Sequence, residues 1–290
     1  MPSAPLPPDV QRAVTTLGWL VDQVQSLISG NFVAGGSPYR FVLRQAAPRA
    51  VITARSVHIL LEQGLAHGVD AVALSRSLWE LLISLEYISG CPRHREELAI
   101  RYLAQNTHHR RRHLERMQAD PNPDISLLEC VKTNLEADER QLLKYLTRAI
   151  EVRAPNRRVA LEDALGRLRT WRFAPTWAGI RRATMARSVR MPGTNRSWEY
   201  DHGYDLLSEM SHVSSGSLMA LDAAIDPDDY PVDQGQDPAR LAGSLTSIWL
   251  LQLIDLAARE LEPLWQPALQ KLSDAATEQW RLAGIIRRTS

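Results

Sequence analysis

The spacing of the apolar residues constrains this chain more than any other feature, because it is helical along almost all of the 290 residues. Apolar side chains recur at intervals of three and four residues, the period of one face of an α-helix, and alternating strand-like runs are nearly absent. Clusters of Gly and Pro interrupt this pattern at GNFVAGGSP, GCP and DPNPD, and such clusters end helices. The sequence therefore predicts an all-α fold, a multi-helix, bundle-like domain of about eight to ten helices.

The same pattern predicts where the helices lie. We expect helices over 8–29, 48–64, 70–89, 93–118, 125–152, 177–190, 197–221, 239–261 and 263–288, with one further short helix inside 153–175. Neither an internal repeat nor a clear linker separates these segments, so we predict a single domain over residues 1–290.

Composition and charge exclude several classes of protein. A net charge of +1 gives no global drive toward nucleic acid or membranes. The only cysteines, Cys91 and Cys130, are far apart, so the sequence predicts neither a disulfide framework nor a zinc site. The N-terminus lacks a signal-peptide pattern, and no window reaches the roughly 20 apolar residues that a membrane span needs. We therefore expect a cytoplasmic protein that has no membrane segment and no cofactor.

The stretch SRSLWELLISLEYIS, residues 75–89, places two opposite charges in an apolar helix. Arg76 and Glu80 are four residues apart and share one helix face. A helix that is apolar around most of its circumference is buried, and an isolated buried charge costs several kcal/mol, so the two side chains should pair. Such a pair serves either as a structural ion pair or as part of a functional pocket, and both readings stay open.

The stretch YDLLSEMSHVSSGS, residues 204–217, carries a second set of polar side chains. Tyr204, Ser208 and His212 are spaced i, i+4 and i+8, which aligns them along one stripe of a helix. A buried histidine needs partners for its ring nitrogens. The face that carries Arg76 and Glu80 offers them, so we predict a polar network of these five residues.

Metal binding and ribonuclease chemistry find little support. Glu209 and His212 form a Glu-x-x-His pair, which is half of a di-iron site. The second such pair, Glu199 with His202, is only ten residues earlier, and on the same helix it would point about 80° away. We therefore predict no metal site. The loose Arg-to-His spacing of helical ribonucleases occurs no more often than chance allows.

Two surfaces are candidates for partner binding. In the basic run THHRRRHLERM, residues 107–117, a solvated face is the expected role, and nucleic-acid contact through Arg110, Arg111 and Arg112 is the lesser alternative. Apolar residues of the two C-terminal helices suit either an oligomer interface or plain core. These residues include Trp249, Leu253, Trp265 and Trp280.

Several segments resemble one family in their order and spacing. They are AVALSRSLWELLISLEYI, then EELAIRYLAQ, then TWAGIRRATMA, and finally YDLLSEMSH. Together they resemble an uncharacterised, mostly bacterial helical family known as domain of unknown function 5677. The resemblance implies an all-α fold, a family-like core of about residues 65–225 with flanking helices at about 8–64 and 239–288, and the five-residue polar cluster. It implies no particular activity.

Three functions follow from these features. The first is a regulatory or interaction protein in which a buried Arg-Glu-His network fixes helix register. The second is a hydrolase or nuclease-like defence enzyme, with His212 as general acid or base, Arg76 stabilising an anion and Glu80 orienting one of them. The third is a helical protein that binds a small ligand in a Trp- and Met-lined cavity above the same polar residues.

Overall fold

The computed structural model describes residues 6–29, 37–151, 156–171, 173, 176–190, 194–204, 208 and 238–282. All regular structure in these residues is helical, which confirms the predicted all-α class and helix number. The described α-helices are α1 (Pro8–Ile28), α2 (Pro38–Glu62), α3 (Gly68–Ser89), α4 (Arg95–Gln118), α5 (Ile125–Glu151), α6 (Arg157–Thr170), α7 (Arg182–Ser188), α8 (Arg196–Trp198), α9 (Pro238–Leu261) and α10 (Gln266–Leu282). A π-helical segment, Glu199–Tyr204, follows α8 directly.

The second helix begins ten residues earlier than the sequence predicts. Pro48 was expected near its start, but it lies inside α2. A proline in a helix interior removes one backbone hydrogen bond and costs about 3 kcal/mol. Its neighbours Ala47 and Ala50 are completely buried, so tertiary packing holds the helix together across the proline.

The chain divides into two compact units. The first contains Met1–Ala34, Leu43–Glu86 and Val189–Ser290. The second contains Gly35–Val42 and Tyr87–Ser188. The single domain over residues 1–290 stays a prediction.

The core of the first unit forms where α1 and α10 pack against α9. Leu20 of α1 contacts Leu251 of α9 and Trp280 of α10 there. Trp249, Leu253, Trp265 and Trp280 are all buried within the chain, so all four are core residues.

Among the described helices, α9 alone is long and apolar enough to cross a membrane by length and composition. It has 24 residues and a mean hydropathy of 1.5 over its most apolar window. However, 72% of that window is buried inside the protein, as in the central helix of a globular core.

The core of the second unit lies between α4, α5 and α6. Ile100 of α4, Leu146 of α5 and Ala160 of α6 are completely buried at its centre. The Asn156 side chain begins α6 by accepting two backbone N–H groups from its first turn. These three helices hold the cavity described below.

Candidate functional site

The structure brings together three of the five polar residues singled out in the sequence. Arg76 and Glu80 lie one turn apart on α3, with 3.3 Å between Nε and Oε1. The Arg76 Nη2 donates to the Tyr204 hydroxyl at 2.7 Å, and that hydroxyl donates to Glu80 Oε1 at 2.9 Å. A tyrosine from the π-helical segment thus links both members of the ion pair. Arg76, Glu80 and Tyr204 are called the tyrosine-bridged cluster below.

The tyrosine-bridged cluster is half-buried rather than enclosed. The side chains of Arg76 and Glu80 are 20% and 27% exposed. Their face of α3 includes the exposed Ser77 and several half-buried positions, so it borders solvent. The apolar residues that suggested complete burial pack on the other faces of α3.

Of the remaining two members, the structure describes Ser208. Ser208 is helical and half-buried. His212 lies outside the described residues, as does Glu209, so the predicted contact between His212 and the ion pair stays a prediction.

A second charged network in the first unit has a fully buried ion pair at its centre, which no sequence pattern singled out. Arg196 Nε and Nη2 donate to the two oxygens of Glu86 at 2.8 and 2.7 Å. Arg196 also donates to Glu199 Oε2 at 2.6 Å and to Gln252 Oε1 at 2.8 Å. The side chains of Arg196 and Glu86 are only 0% and 3% exposed. Arg196, Glu86, Glu199 and Gln252 are called the buried arginine network below.

The ionisation of the buried arginine network follows from this geometry. Burial raises the pKa of Glu86 above its usual range, although the hydrogen bonds and charge of Arg196 oppose that rise. Burial alone would lower the pKa of Arg196, but the hydrogen bonds and charges of Glu86 and Glu199 outweigh this effect and raise it. Arg196 therefore stays charged, whereas desolvation destabilises the charged form of Glu86.

One signal in the sequence points to Glu86. It follows Trp79 by seven residues and Leu82 by four, which puts it on the same stripe of α3 as these buried side chains. A charged residue on the most apolar stripe of a helix requires a partner. Arg196 is 110 positions away in the chain, so local spacing does not reveal that it is this partner.

Trp79 connects the two polar groups. Its indole Nε1 donates to Glu199 Oε2 at 3.1 Å. Its ring centroid lies 5.0 Å from that of Tyr204 and 6.1 Å from that of Tyr200. The side chain of Trp79 therefore touches both the buried arginine network and the tyrosine-bridged cluster.

The Glu-x-x-His pair near the start of the π-helical segment divides between two environments. Glu199 joins the buried arginine network, whereas His202 is exposed and stacks on Trp198 with 4.9 Å between ring centroids. No group of three or more His, Cys, Asp or Glu side chains within the described ranges is arranged to hold a metal ion.

Two arginines of the basic run on α4 pair with acidic residues of α5. Arg110 pairs with Asp138, and Arg111 donates to Glu139 Oε1 from Nε at 3.2 Å and from Nη2 at 2.5 Å. Arg112 is exposed. Two of the three arginines are thus already bound to carboxylates, which reduces the charge available for a phosphate.

A cavity of about 470 Å³ lies between α4, α5 and α6 in the second unit. Each helix contributes residues spaced at helical intervals along one stripe. The apolar part of its lining comprises Ala104, Leu142, Leu143, Leu165 and Leu168. The aromatic side chains of Trp171 and Phe173 complete one wall after the end of α6.

Polar and charged groups surround the apolar part of the cavity. His108 lies in the wall and stacks on Phe173, with 4.7 Å between ring centroids. Burial lowers the pKa of His108, and electrostatic interactions with His109, Arg112 and Arg111 lower it further. The imidazole is therefore neutral at pH 7 in a cationic environment.

The all-helical architecture and the family model together place the chain in a class of helical proteins whose function is not established. Residues 40–229 match the model of a family of unknown function, DUF5677. The match covers more than half of the chain, so the chain belongs to this family, which confirms the resemblance seen in the sequence. It starts earlier than the core predicted at about residue 65 and includes most of α2. No curated protein and no solved structure matches the chain.

Proposed function

We propose that the chain is a regulatory protein that binds a small molecule in the cavity between α4, α5 and α6. The observation that carries this proposal is the cavity itself. Its volume of about 470 Å³ falls within the range of roughly 300–1,000 Å³ that ligand pockets occupy. Its lining combines aliphatic and aromatic side chains with polar and charged groups that can orient a ligand, as in such pockets.

Incomplete packing is a weaker account of this cavity. Protein interiors are close-packed, and few of their voids exceed the size of a water molecule. One water occupies about 30 Å³ of liquid, so this space is more than ten times larger. The cavity is half-open to solvent, so it is a cleft at the surface and not an enclosed packing void.

The first unit has a structural role in this proposal. The buried arginine network joins α3, α8, the π-helical segment and α9 through charge-assisted hydrogen bonds. Buried polar groups of this kind fix helix register in some proteins. We also propose that the protein works in the cytoplasm, with α9 as a core helix.

A substitution that fills the cavity tests the proposal. Leu165→Trp adds a large side chain to the lining, and 2-naphthalenemethanol is a neutral probe of suitable size. We expect the wild type to bind this probe in isothermal titration calorimetry. We expect Leu165→Trp to weaken binding by about tenfold or more, because the added ring occupies the space of the ligand.

The matched control is Leu161→Trp, one turn earlier on α6, where the side chain is exposed and does not line the cavity. It should bind the probe like the wild type. Equal binding by all three proteins, with unchanged circular dichroism, would place the probe elsewhere and contradict the proposal.

A second candidate function is hydrolytic chemistry at the tyrosine-bridged cluster. The observation that favours it is the partial exposure of Arg76 and Glu80, whose hydrogen bonds converge on one hydroxyl. Tyr204 also ends a π-helical segment, and such segments are frequent at functional sites. In this candidate function, Glu80 acts as general base or orients one, and Arg76 binds the anion.

Glu80→Gln tests the second candidate, because the amide keeps the shape of the side chain and removes its charge. We expect the variant to lose about 100-fold or more in cleavage of a fluorogenic RNA oligonucleotide. Its melting temperature should stay close to that of the wild type. Glu62→Gln, an exposed carboxylate on α2, is the control. A wild-type protein that leaves the RNA intact removes this candidate.

A further inference from the structure

We propose that the cavity between α4, α5 and α6 takes a small amphipathic acid, an apolar body of about the size of two fused rings that carries one carboxylate. This inference rests on the proposed function, since it names the chemical class of the ligand of the same cavity. The apolar body and the charge are supported by different parts of the lining.

The apolar body is indicated by the inner surface. Ala104 and Leu142 are buried residues of the lining, and Leu143, Leu165 and Leu168 add three further aliphatic side chains to it. None of these five side chains can offer a hydrogen bond. A ligand that fills this part of the cavity must therefore be apolar.

The negative charge of the ligand is indicated by the arginines of the lining. Arg111 is already bound to Glu139. Arg140 and Arg169, by contrast, have no carboxylate within 4.0 Å among the described residues. Arg140 Nε donates to the backbone carbonyl of Glu136 at 3.2 Å, so an acid would bind through the Nη groups of Arg140 and through Arg169, because guanidinium groups bind carboxylates in a two-pronged geometry.

The balance of charges favours a monoanion over a doubly charged ligand. Once Arg111 and Glu139 are paired, Arg140 and Arg169 face one further acidic residue of the lining, Glu136. The remaining formal charge of the lining is therefore +1. A single carboxylate neutralises it, whereas a phosphate dianion would leave an excess of negative charge near Glu136.

A cationic ligand is disfavoured by the aromatic wall. Cations bind over the faces of aromatic rings. Here the guanidinium carbon of Arg101 already lies 5.9 Å from the Trp171 ring centroid and 6.0 Å from that of Phe173. Phe173 also contacts the Trp171 ring and stacks on His108. A second cation would meet the charge of Arg101, so these rings do not form a free cation cage.

Three isosteric probes test the ligand class by calorimetry at pH 7: 2-naphthoate, 2-naphthalenemethanol and 2-naphthylmethylammonium. We expect the carboxylate to bind about tenfold more tightly than the alcohol, and the ammonium to bind most weakly. Addition of salt should weaken binding of the carboxylate but not of the alcohol.

Substitutions at the charged residues assign this preference to the cavity. The double variant Arg140→Met and Arg169→Met should lower affinity for 2-naphthoate to that of the alcohol and leave the alcohol unaffected. Glu136→Gln should strengthen binding of the carboxylate a few-fold, because an opposing charge is removed. Arg148→Met is the matched control, since Arg148 is an exposed arginine on α5 that does not line the cavity.

The outcomes separate this inference from the proposed function. If the alcohol and carboxylate bind wild type equally and Leu165→Trp abolishes both, the acid class is wrong and the cavity remains a ligand site. Tightest binding of the ammonium also overturns the acid class. If no probe binds the wild type, both the ligand class and the proposed small-molecule site are wrong.

Discussion

Replacing Arg196 by methionine is expected to lower the free energy of unfolding by about 3–5 kcal/mol, since removing one partner of a buried ion pair leaves an unpaired charge inside the protein. The side chain of Glu86 is only 3% exposed, and two of the hydrogen bonds that it accepts come from Arg196. Methionine fills a similar length but offers no donor. Guanidinium unfolding followed by circular dichroism measures the effect.

The double variant Arg196→Met and Glu86→Met should be more stable than Arg196→Met alone, because both members of the buried pair are then apolar. Glu199 keeps the hydrogen bond from the Trp79 indole and is 23% exposed, so it tolerates the loss of Arg196 better than Glu86 does. If the double variant is the less stable one, the loss of packing at Arg196 explains the effect and the unpaired charge does not.

Arg55→Met provides the control on the surface. Arg55 binds Asp22 at 2.8 Å, but its side chain is 42% exposed. Exposed ion pairs contribute about 0–1 kcal/mol, so this substitution should change stability very little. An effect of Arg196→Met as small as that of Arg55→Met would contradict the role assigned to the buried arginine network.

Replacing Trp79 by alanine should cost about 3–5 kcal/mol, the range for truncation of a large buried aromatic side chain. Trp79 is among the largest fully buried side chains of the protein. Its ring packs against Tyr200, Tyr204 and Trp249, with centroid distances of 5.0 to 6.5 Å. Alanine would therefore leave a cavity between α3, the π-helical segment and α9.

Trp79→Phe separates the ring from its hydrogen bond. Phenylalanine keeps most of the apolar surface but cannot donate to Glu199, so we expect a loss of about 1–2 kcal/mol. Trp198→Ala is the control, because Trp198 is 58% exposed and its loss should change stability by about 0.5 kcal/mol or less. If Trp79→Phe proves as costly as Trp79→Ala, the hydrogen bond dominates and the ring packing contributes little.

The limits of a helix follow the local sequence where local sequence signals and tertiary packing favour the same limits. The predicted limits of α1, α3, α5 and α9 lie within two residues of those in the structure, because Gly, Pro and polar caps end these helices locally. α2 and α7 are exceptions, and α7 begins at Arg182, five residues later than predicted. The apolar surroundings of α2 keep Pro48 in a helix interior, which a local rule would not allow.

The candidate sites likewise combine contacts that the sequence predicts with features that depend on tertiary packing. The pairing of Arg76 with Glu80 follows from their four-residue spacing on one helix, and it is present in the structure. Tyr204 lies 124 residues from Glu80 in the chain. It was predicted to join the pair because buried polar faces need polar partners, and its hydroxyl does bridge Arg76 and Glu80. The degree of burial was not predicted, since it depends on what covers each face of α3.

The sequence by itself determined that this protein is all-helical, where most of its helices lie and that Arg76 pairs with Glu80. All three depend on the 3.6-residue period, which relates residues within a few turns of one another. Only the tertiary structure decided that Arg196 is fully buried and that α4, α5 and α6 leave a cavity between them. Both depend on side chains far apart in the chain, whose meeting is set by the packing of whole helices and by no local spacing.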